Sequence, residues 1–238
     1  MIGLSITAIG QRPIKECIEI YYQLQQSLGL DYLELAIGSN CELNQIPEDI
    51  PLVIHNRCLF QNGKRLPFSL IQPETWADYR NSLRDRPVLA LSLHPPKLHE
   101  AFQEQVLAQR QALEQYMGIP VLLEVMPSPA YWLSQDNLLD VPLLLDLSHI
   151  NIWHKGDFKR VEETCKVLLP RAQAVHISHN DGRTDSHDLI PNGMWFDRLI
   201  NSWAATKLVT YESLPQAWGK YERLDKRRHK HFATFYSK

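Results

Sequence analysis

The chain has 238 residues, 44% hydrophobic and 22% charged, with a net charge of −2 at pH 7. This length suits one (β/α)8 barrel of about 250 residues and leaves too little chain for a second domain, so one domain over 1–238 is expected. The near-neutral charge provides no long-range field for nucleic acid or anionic lipid, and no apolar run approaches the roughly 20 residues of a membrane span.

Apolar runs recur through the chain with helical patterns between most of them. The first strand is predicted over 2–8. A helix follows from Pro13, with Ile14, Cys17, Ile18, Tyr21, Leu24 and Leu28 on one face and Gly29 as its stop. Strand two is predicted over 32–37. The Pro-broken stretch 39–50 that follows leaves its helix degraded or missing. Strand three is 52–55, followed by a long loop over 57–72 of the kind that covers sites. A helix over 73–83 leads to strand four at 88–94. A long amphipathic helix over 98–117 ends at Gly118, before strand five at 121–125. The stretch 134–139 is a short helix at best. Strand six is predicted over 143–147, a helix over 157–169, strand seven over 174–178, a helix over 195–203 and strand eight over 208–211. The tail from Trp218 reads as a closing helix, and the basic run at 226–230 as its solvated face.

The runs are short, continuous and apolar, as in a parallel sheet buried on both sides. Strands alternating with helices favour a parallel sheet. The fold expected is therefore an α/β protein of the (β/α)8 TIM barrel type; a doubly wound open sheet is the rival, weakened by the lack of a Gly-rich loop after strand one. Cys17, Cys41, Cys58 and Cys165 show no CxxC spacing and read as core residues of a reducing compartment. No secretory signal is evident, so a cytoplasmic location is expected.

Six strands end in metal-ligand residue types. His55 ends strand three, His94 strand four and Glu124 strand five. Asp146 ends strand six, with His149 just beyond. Strand seven contributes His176, with Asp185 and His187 on its loop, and Glu212 ends strand eight. A barrel brings such termini to one rim. A lone His after a strand is most often a hydrogen-bonded cap, and His55 or His94 singly would carry little weight. Glu124, Asp146 and Glu212 inside apolar runs are harder to dismiss, because a buried carboxylate is costly unless paired or bound to a cation. Carboxylates and imidazoles without thiolate suit divalent zinc first, with manganese, iron and cobalt also compatible.

This ordered set resembles the xylose isomerase-like barrel superfamily, and endonuclease IV above all. The matching features are His55 on strand three, His94-Pro95 on strand four, Glu124 on strand five and the D-x-x-H of Asp146 and His149. His176 before Asn180-Asp181, the D-x-H of Asp185 and His187, and Glu212 complete the pattern. The resemblance implies a three-metal site. Glu124 would bridge two ions; His149, Asp185 and His187 would hold one, and Asp146, His176 and Glu212 another. Where endonuclease IV has a strand-one His, this chain reads Gly3-Leu4-Ser5, and it is shorter and slightly acidic, so specific nucleic-acid binding is not expected.

Hydrolysis of a phosphoester or related bond through metal-bound hydroxide is the first functional expectation. Glu124 and Glu212 are the candidate catalytic acids. Arg57, Arg183, His179 and Asn180 are candidate contacts to a small-molecule or phosphorylated substrate, with Lys64 and Arg65 as further loop cations. A sugar isomerase or epimerase is the second expectation. The resemblance gives it one divalent ion on Glu124, Asp146, His176 and Glu212, and it would leave four ligand-type residues idle. A multinuclear non-heme iron oxygenase is the third, since such barrels share the D-x-H and strand-eight Glu, although His149 stands where they usually carry Asn. A non-enzymatic binding barrel is the remaining class.

Overall fold

The computed structural model describes residues 1–225; the basic run at 226–230 lies outside them. Eight parallel strands close into a barrel. In chain order they are β1 (Ile2–Ser5), β2 (Tyr32–Leu35), β3 (Leu52–His55), β4 (Val88–Leu93), β5 (Val121–Glu124), β6 (Leu143–Asp146), β7 (Ala172–Ile177) and β8 (Leu208–Tyr211). Each pairs with its sequence neighbours, and β8 returns to β1 through Ile2–Val209, Gly3–Thr210 and Leu4–Tyr211. The expected (β/α)8 architecture is thus the one observed.

The outer helices are α1 (Ile14–Leu28), α2 (Trp76–Leu83), α3 (Gln103–Met117), α4 (Leu147–Trp153), α5 (Phe158–Leu168) and α6 (Ile200–Ala204). Helix α1 buries Ile14, Cys17, Ile18, Tyr21 and Leu24 and stops at Gly29 in the left-handed conformation, as its spacing predicts. Several boundaries differ from expectation. Strand β1 ends at Ser5, whose hydroxyl accepts from the Thr7 amide and starts the helical turn Ile6–Ile9. Helix α3 begins only at Gln103. Before it, the Leu98 amide is tied to the Ala130 carbonyl and the Trp132 indole to Ala101. No helix forms over 134–139, where Ser134 and Asn137 make a bridge instead. The helix expected over 195–203 is confined to α6. Residues 194–199 turn with i to i+3 bonds, from Asp197 to Met194 and from Leu199 to Phe196. The tail forms a 3-10 helix over Gln216–Tyr221. Stretch 57–72 is ordered: Leu59–Gln61 pairs with Lys64–Arg65 and with Cys41–Glu42 in a small sheet beside the barrel.

Period-two alternation divides the barrel interior into layers. The floor is apolar, built from Ala90, Leu122, Leu144 and Ala174. Above it the buried Tyr32 ring crosses the interior and its hydroxyl meets Thr210 Oγ1 at 2.7 Å. It fits because the facing residue on β1 is Gly3; a Cβ there would run into the Tyr32 ring. The carboxyl end of the interior is polar: Ser5, Glu34, His55, Ser92, Glu124, Asp146, His176 and Glu212 are all buried. Among the described residues no helix is long and apolar enough to cross a membrane.

Gly3→Ala is expected to destabilise the protein by about 1–3 kcal/mol through overpacking against Tyr32. Urea unfolding measures this. Recovery of most of the loss in Gly3→Ala/Tyr32→Leu would confirm the ring as the obstacle.

Candidate metal centre

The polar layer is built by strand ends. On β6, Asp146 is also the N-cap of α4, a helix that the sequence pattern did not separate from the strand. Its Oδ1 accepts from the Ser148 and His149 amides and from the Ser148 and Ser178 hydroxyls, at 2.6–3.1 Å. Four donors on one oxygen fix the carboxylate and leave Oδ2 buried without a hydrogen bond. The same helix start places His149 one turn in. Its Nδ1–H donates to the Val125 carbonyl at 2.7 Å, so Nε2 faces Asp185 Oδ2 at 3.2 Å.

Among the described residues three groups of side chains bring ligand atoms together at a spacing that could hold an ion. Glu124, Asp146, His176 and Glu212 offer ligand atoms that all lie within 4.8 Å of one another, and His55, His94 and Glu124 form a second such set. The third is Glu34, His55 and His176. Asp185 lies near two further imidazoles, with Oδ2 3.2 Å from His149 Nε2 and Oδ1 3.4 Å from His187 Nε2, without making up another such group. Glu124 links the first two sets. Its Oε2 lies 3.0 Å from His94 Nε2 and 3.5 Å from His55 Nε2, while Oε1 lies 3.7 Å from His176 Nδ1. Ligands about 2.1 Å from a common ion are themselves roughly 3.0–3.5 Å apart, so these spacings suit coordination.

The donor set fits a cation on physical grounds too. Glu34, Glu124, Asp146 and Glu212 are buried, and among the described residues none pairs with Lys or Arg. Glu124 Oε2 and Glu212 Oε2 have no hydrogen bond. Glu212 Oε2 approaches His176 Nδ1 at 2.9 Å without hydrogen-bonding alignment. Buried carboxylate oxygens left in this state are stable only opposite positive charge.

Two residues that sequence reasoning missed orient the imidazoles. Glu34, buried on β2, contacts His176 Nε2 at 2.9 Å and turns Nδ1 toward the first set. Carboxylates behind metal-bound imidazoles have this role. The signal was present as a single acid in the apolar run YLEL. Asn56, at φ 55°, is the other. Its Oδ1 accepts from the His94 amide at 2.7 Å, which fixes the amide orientation and points Nδ2–H at His55 Nε2, also 2.7 Å away. His55 Nε2 must then bear the lone pair, which accepts from Asn56, and Nδ1–H donates to Ser92 Oγ at 2.9 Å; an ion on His55 Nε2 would take the place of the Asn56 hydrogen bond. No sequence signal marked Asn56.

Electrostatics separate the imidazoles. Burial pushes His55 down to about 4, outweighing Glu124 and Glu34, so it is neutral at pH 7. Burial also opposes charge on His176, but Glu34 and Glu212 outweigh it and raise its pKa well above the ordinary imidazole value. His149 is raised in the same way, with Asp146 and Asp185 overcoming burial. Burial would raise Glu124, yet His94 and His55 hold it well below the usual carboxylate range. For Glu212 burial prevails over His176 and His187, and its pKa rises.

The candidate substrate contacts are dispersed. Arg57 is exposed and lines a cavity of about 480 Å3 that also has His94 in its wall. Arg183 sits on the exposed turn closed by Asp181. Lys64 and Arg65 lie on the exposed strand of the small sheet. His179 packs 6.2 Å from the Phe158 ring of α5, on the outer side of the barrel wall. Asn180 is buried, with Nδ2 donating to the Ser148 carbonyl and Oδ1 accepting from Gly182 and Asn151. The structure therefore gives Asn180 a bracing role in the β7 loop instead of a free face for substrate.

No family model matches the sequence, and no curated protein matches it. Solved structures do. A crystal structure titled AP endonuclease, family 2, from Brucella melitensis superposes with TM-score 0.55 at 14% identity, covering 90% of this chain and 93% of that one. A D-tagatose 3-epimerase-like protein gives 0.54 at 15%, covering 98% and 97%. An IOLI protein with a binding zinc atom gives 0.52 at 14%, covering 92% and 91%. At these identities the likeness establishes the fold, which is the one the strand-end motifs implied by resemblance.

Glu34→Gln is expected to weaken ion binding at the first set about 10–100-fold. Competition against a chelating dye measures it, and an unchanged affinity would remove Glu34 from its orienting role. The raised pKa values of His149 and His176 set the pH dependence. Stability from their protonation in the metal-free protein is fully present below the unfolded value of about 6.5 and is lost as pH rises through the raised folded values. Thermal unfolding of chelator-treated protein should therefore show falling Tm above neutrality. Ion binding should strengthen over the same range, with proton release visible when titrations are repeated in buffers of different ionisation enthalpy.

Proposed function

We propose that this protein is a divalent-metal enzyme of the barrel rim that hydrolyses a phosphoester or related bond, with more than one ion, zinc first among them, held by the nine strand-end residues. The observation that carries this is Glu124. Its two oxygens face different imidazole sets, as a carboxylate shared between two ions must. A single-ion site on Glu124, Asp146, His176 and Glu212 would leave His55, His94, His149, Asp185 and His187 without a ligand role.

Divalent ions bound there supply a nucleophile from water at neutral pH and neutralise charge on the attacked group. The chain's own residues divide the remaining work. Glu124, held ionised, binds and links. Glu212 would hold an ion together with Asp146 and His176. Glu34 and Asn56 hold the imidazoles in register. The cavity beside His94 takes the organic part of the substrate, a small molecule on grounds of its volume.

The second reading is a sugar epimerase. It is favoured by the compactness of the Glu124, Asp146, His176 and Glu212 set, where one ion would suffice and two glutamates flank it.

Metal analysis of protein purified without chelator, together with assays on p-nitrophenyl phosphate and bis(p-nitrophenyl) phosphate, tests the proposal. More than one equivalent of zinc with phosphoester turnover is expected. Glu124→Gln should retain its fold by circular dichroism and lose more than about 100-fold in rate. One equivalent of manganese with ketose epimerisation would replace the hydrolase by the epimerase.

A further inference from the structure

The cavity beside His94 has a charge pattern that the metal centre does not require. It is lined by Arg57 and Lys97, and among the described residues neither pairs with a carboxylate. Lys97 Nζ lies 5.7 Å from the Tyr131 ring centroid. The one acid on the lining, Glu100, accepts the Lys97 backbone amide at 2.8 Å through Oε2, so two cations face one carboxylate. The rest of the lining mixes rings and prolines such as Phe68, Pro95 and Tyr131 with aliphatic side chains and the polar Asn56, Ser69 and Gln72. Part of the lining is braced from behind. Phe68 stacks on Tyr79 with centroids 4.1 Å apart, and the Tyr79 hydroxyl donates to the Asn56 carbonyl at 2.8 Å. The cavity is therefore preformed, and its volume of about 480 Å3 is that of a small-molecule site.

We infer that this cavity binds a second anionic group, a carboxylate or phosphate on the part of the substrate that does not react. The inference rests on the proposal that ions at the rim hold the reacting group, since that group then needs neither cation. Arg57 and Lys97 receive the remote anion through charge-assisted hydrogen bonds, and the rings and prolines cover the apolar span between the two ends. The substrate class is a small acid bearing a phosphoester at one end.

The test is binding by isothermal titration to zinc-loaded protein, using phosphonates that cannot be hydrolysed. 4-Carboxyphenylphosphonate and 3-phosphonopropionate carry the second anion at two reaches; phenylphosphonate and propylphosphonate lack it. At least one dianionic probe should bind about tenfold or more tightly than its partner. Arg57→Ala/Lys97→Ala should abolish that preference while leaving phenylphosphonate affinity and zinc content unchanged. Equal affinity for both members of each pair, or a preference that survives the double substitution, would overturn the inference. So would a short single-stranded oligonucleotide that depends on Arg57 and Lys97 while the phosphonate pairs do not, because the cations would then serve a nucleic-acid backbone. Turnover plays no part in this readout. A protein showing the preference without hydrolysing phosphoesters would keep the second-anion subsite and lose the hydrolase assignment; turnover without the preference would do the reverse.

Discussion

Four carboxylates share the carboxyl end of the barrel interior with imidazoles and, among the described residues, with no lysine or arginine partner. Taking such charges out of water is expensive, and the attraction between them and their neighbours has to compensate. Two imidazoles whose pKa values the neighbouring carboxylates raise, and the helix start at Asp146, supply part of that compensation. Divalent cations would supply the rest. The floor beneath is apolar and closely filled, down to a glycine that admits a tyrosine ring, so the charged groups cannot retreat downward. The rim is consequently a place where unsatisfied negative charge is held at fixed spacing.

Barrel closure makes this possible at little local cost. Each strand contributes one inward residue at its carboxyl end, already rigid because both neighbouring strands hydrogen-bond to it. The orienting contacts then come from the adjacent position or the adjacent strand. Asn56 follows His55, Ser92 faces it across the β3–β4 pair, and Ser178 reaches Asp146 across the β6–β7 pair. An imidazole set in this way has its tautomer chosen before any ion arrives. Hydrogen bonds within the ligand set, and the stacking of Phe68 on Tyr79 in the cavity wall, give the site its shape.

The legible part of the site was the part with an unusual residue in an apolar run. Asp146 after four apolar residues, Glu124 after VLL and Glu212 after LVTY could not be ordinary strand residues, and the structure gathers all three. Glu34 carried the same signal, but one acid in a four-residue strand also reads as a solvent-facing position. Asn56 was invisible because its role depends on a left-handed backbone and on two imidazoles from different strands. Asn180 stood beside the motif and looked like a substrate contact, yet both ends of its amide brace the loop.

By itself the sequence determined the alternation of strands and helices and the chemical type of residue at the ends of six strands. These follow from local periodicity and from the cost of burying charge. Only the tertiary structure decided which strand ends meet. It also decided that Leu147–Trp153 is a helix started by a ligand carboxylate, which oxygen of Glu124 faces which imidazoles, and that Arg57 borders a cavity while His179 points outward. Closure of the sheet sets those relations between residues far apart in sequence, and no local pattern encodes a distance across a ring.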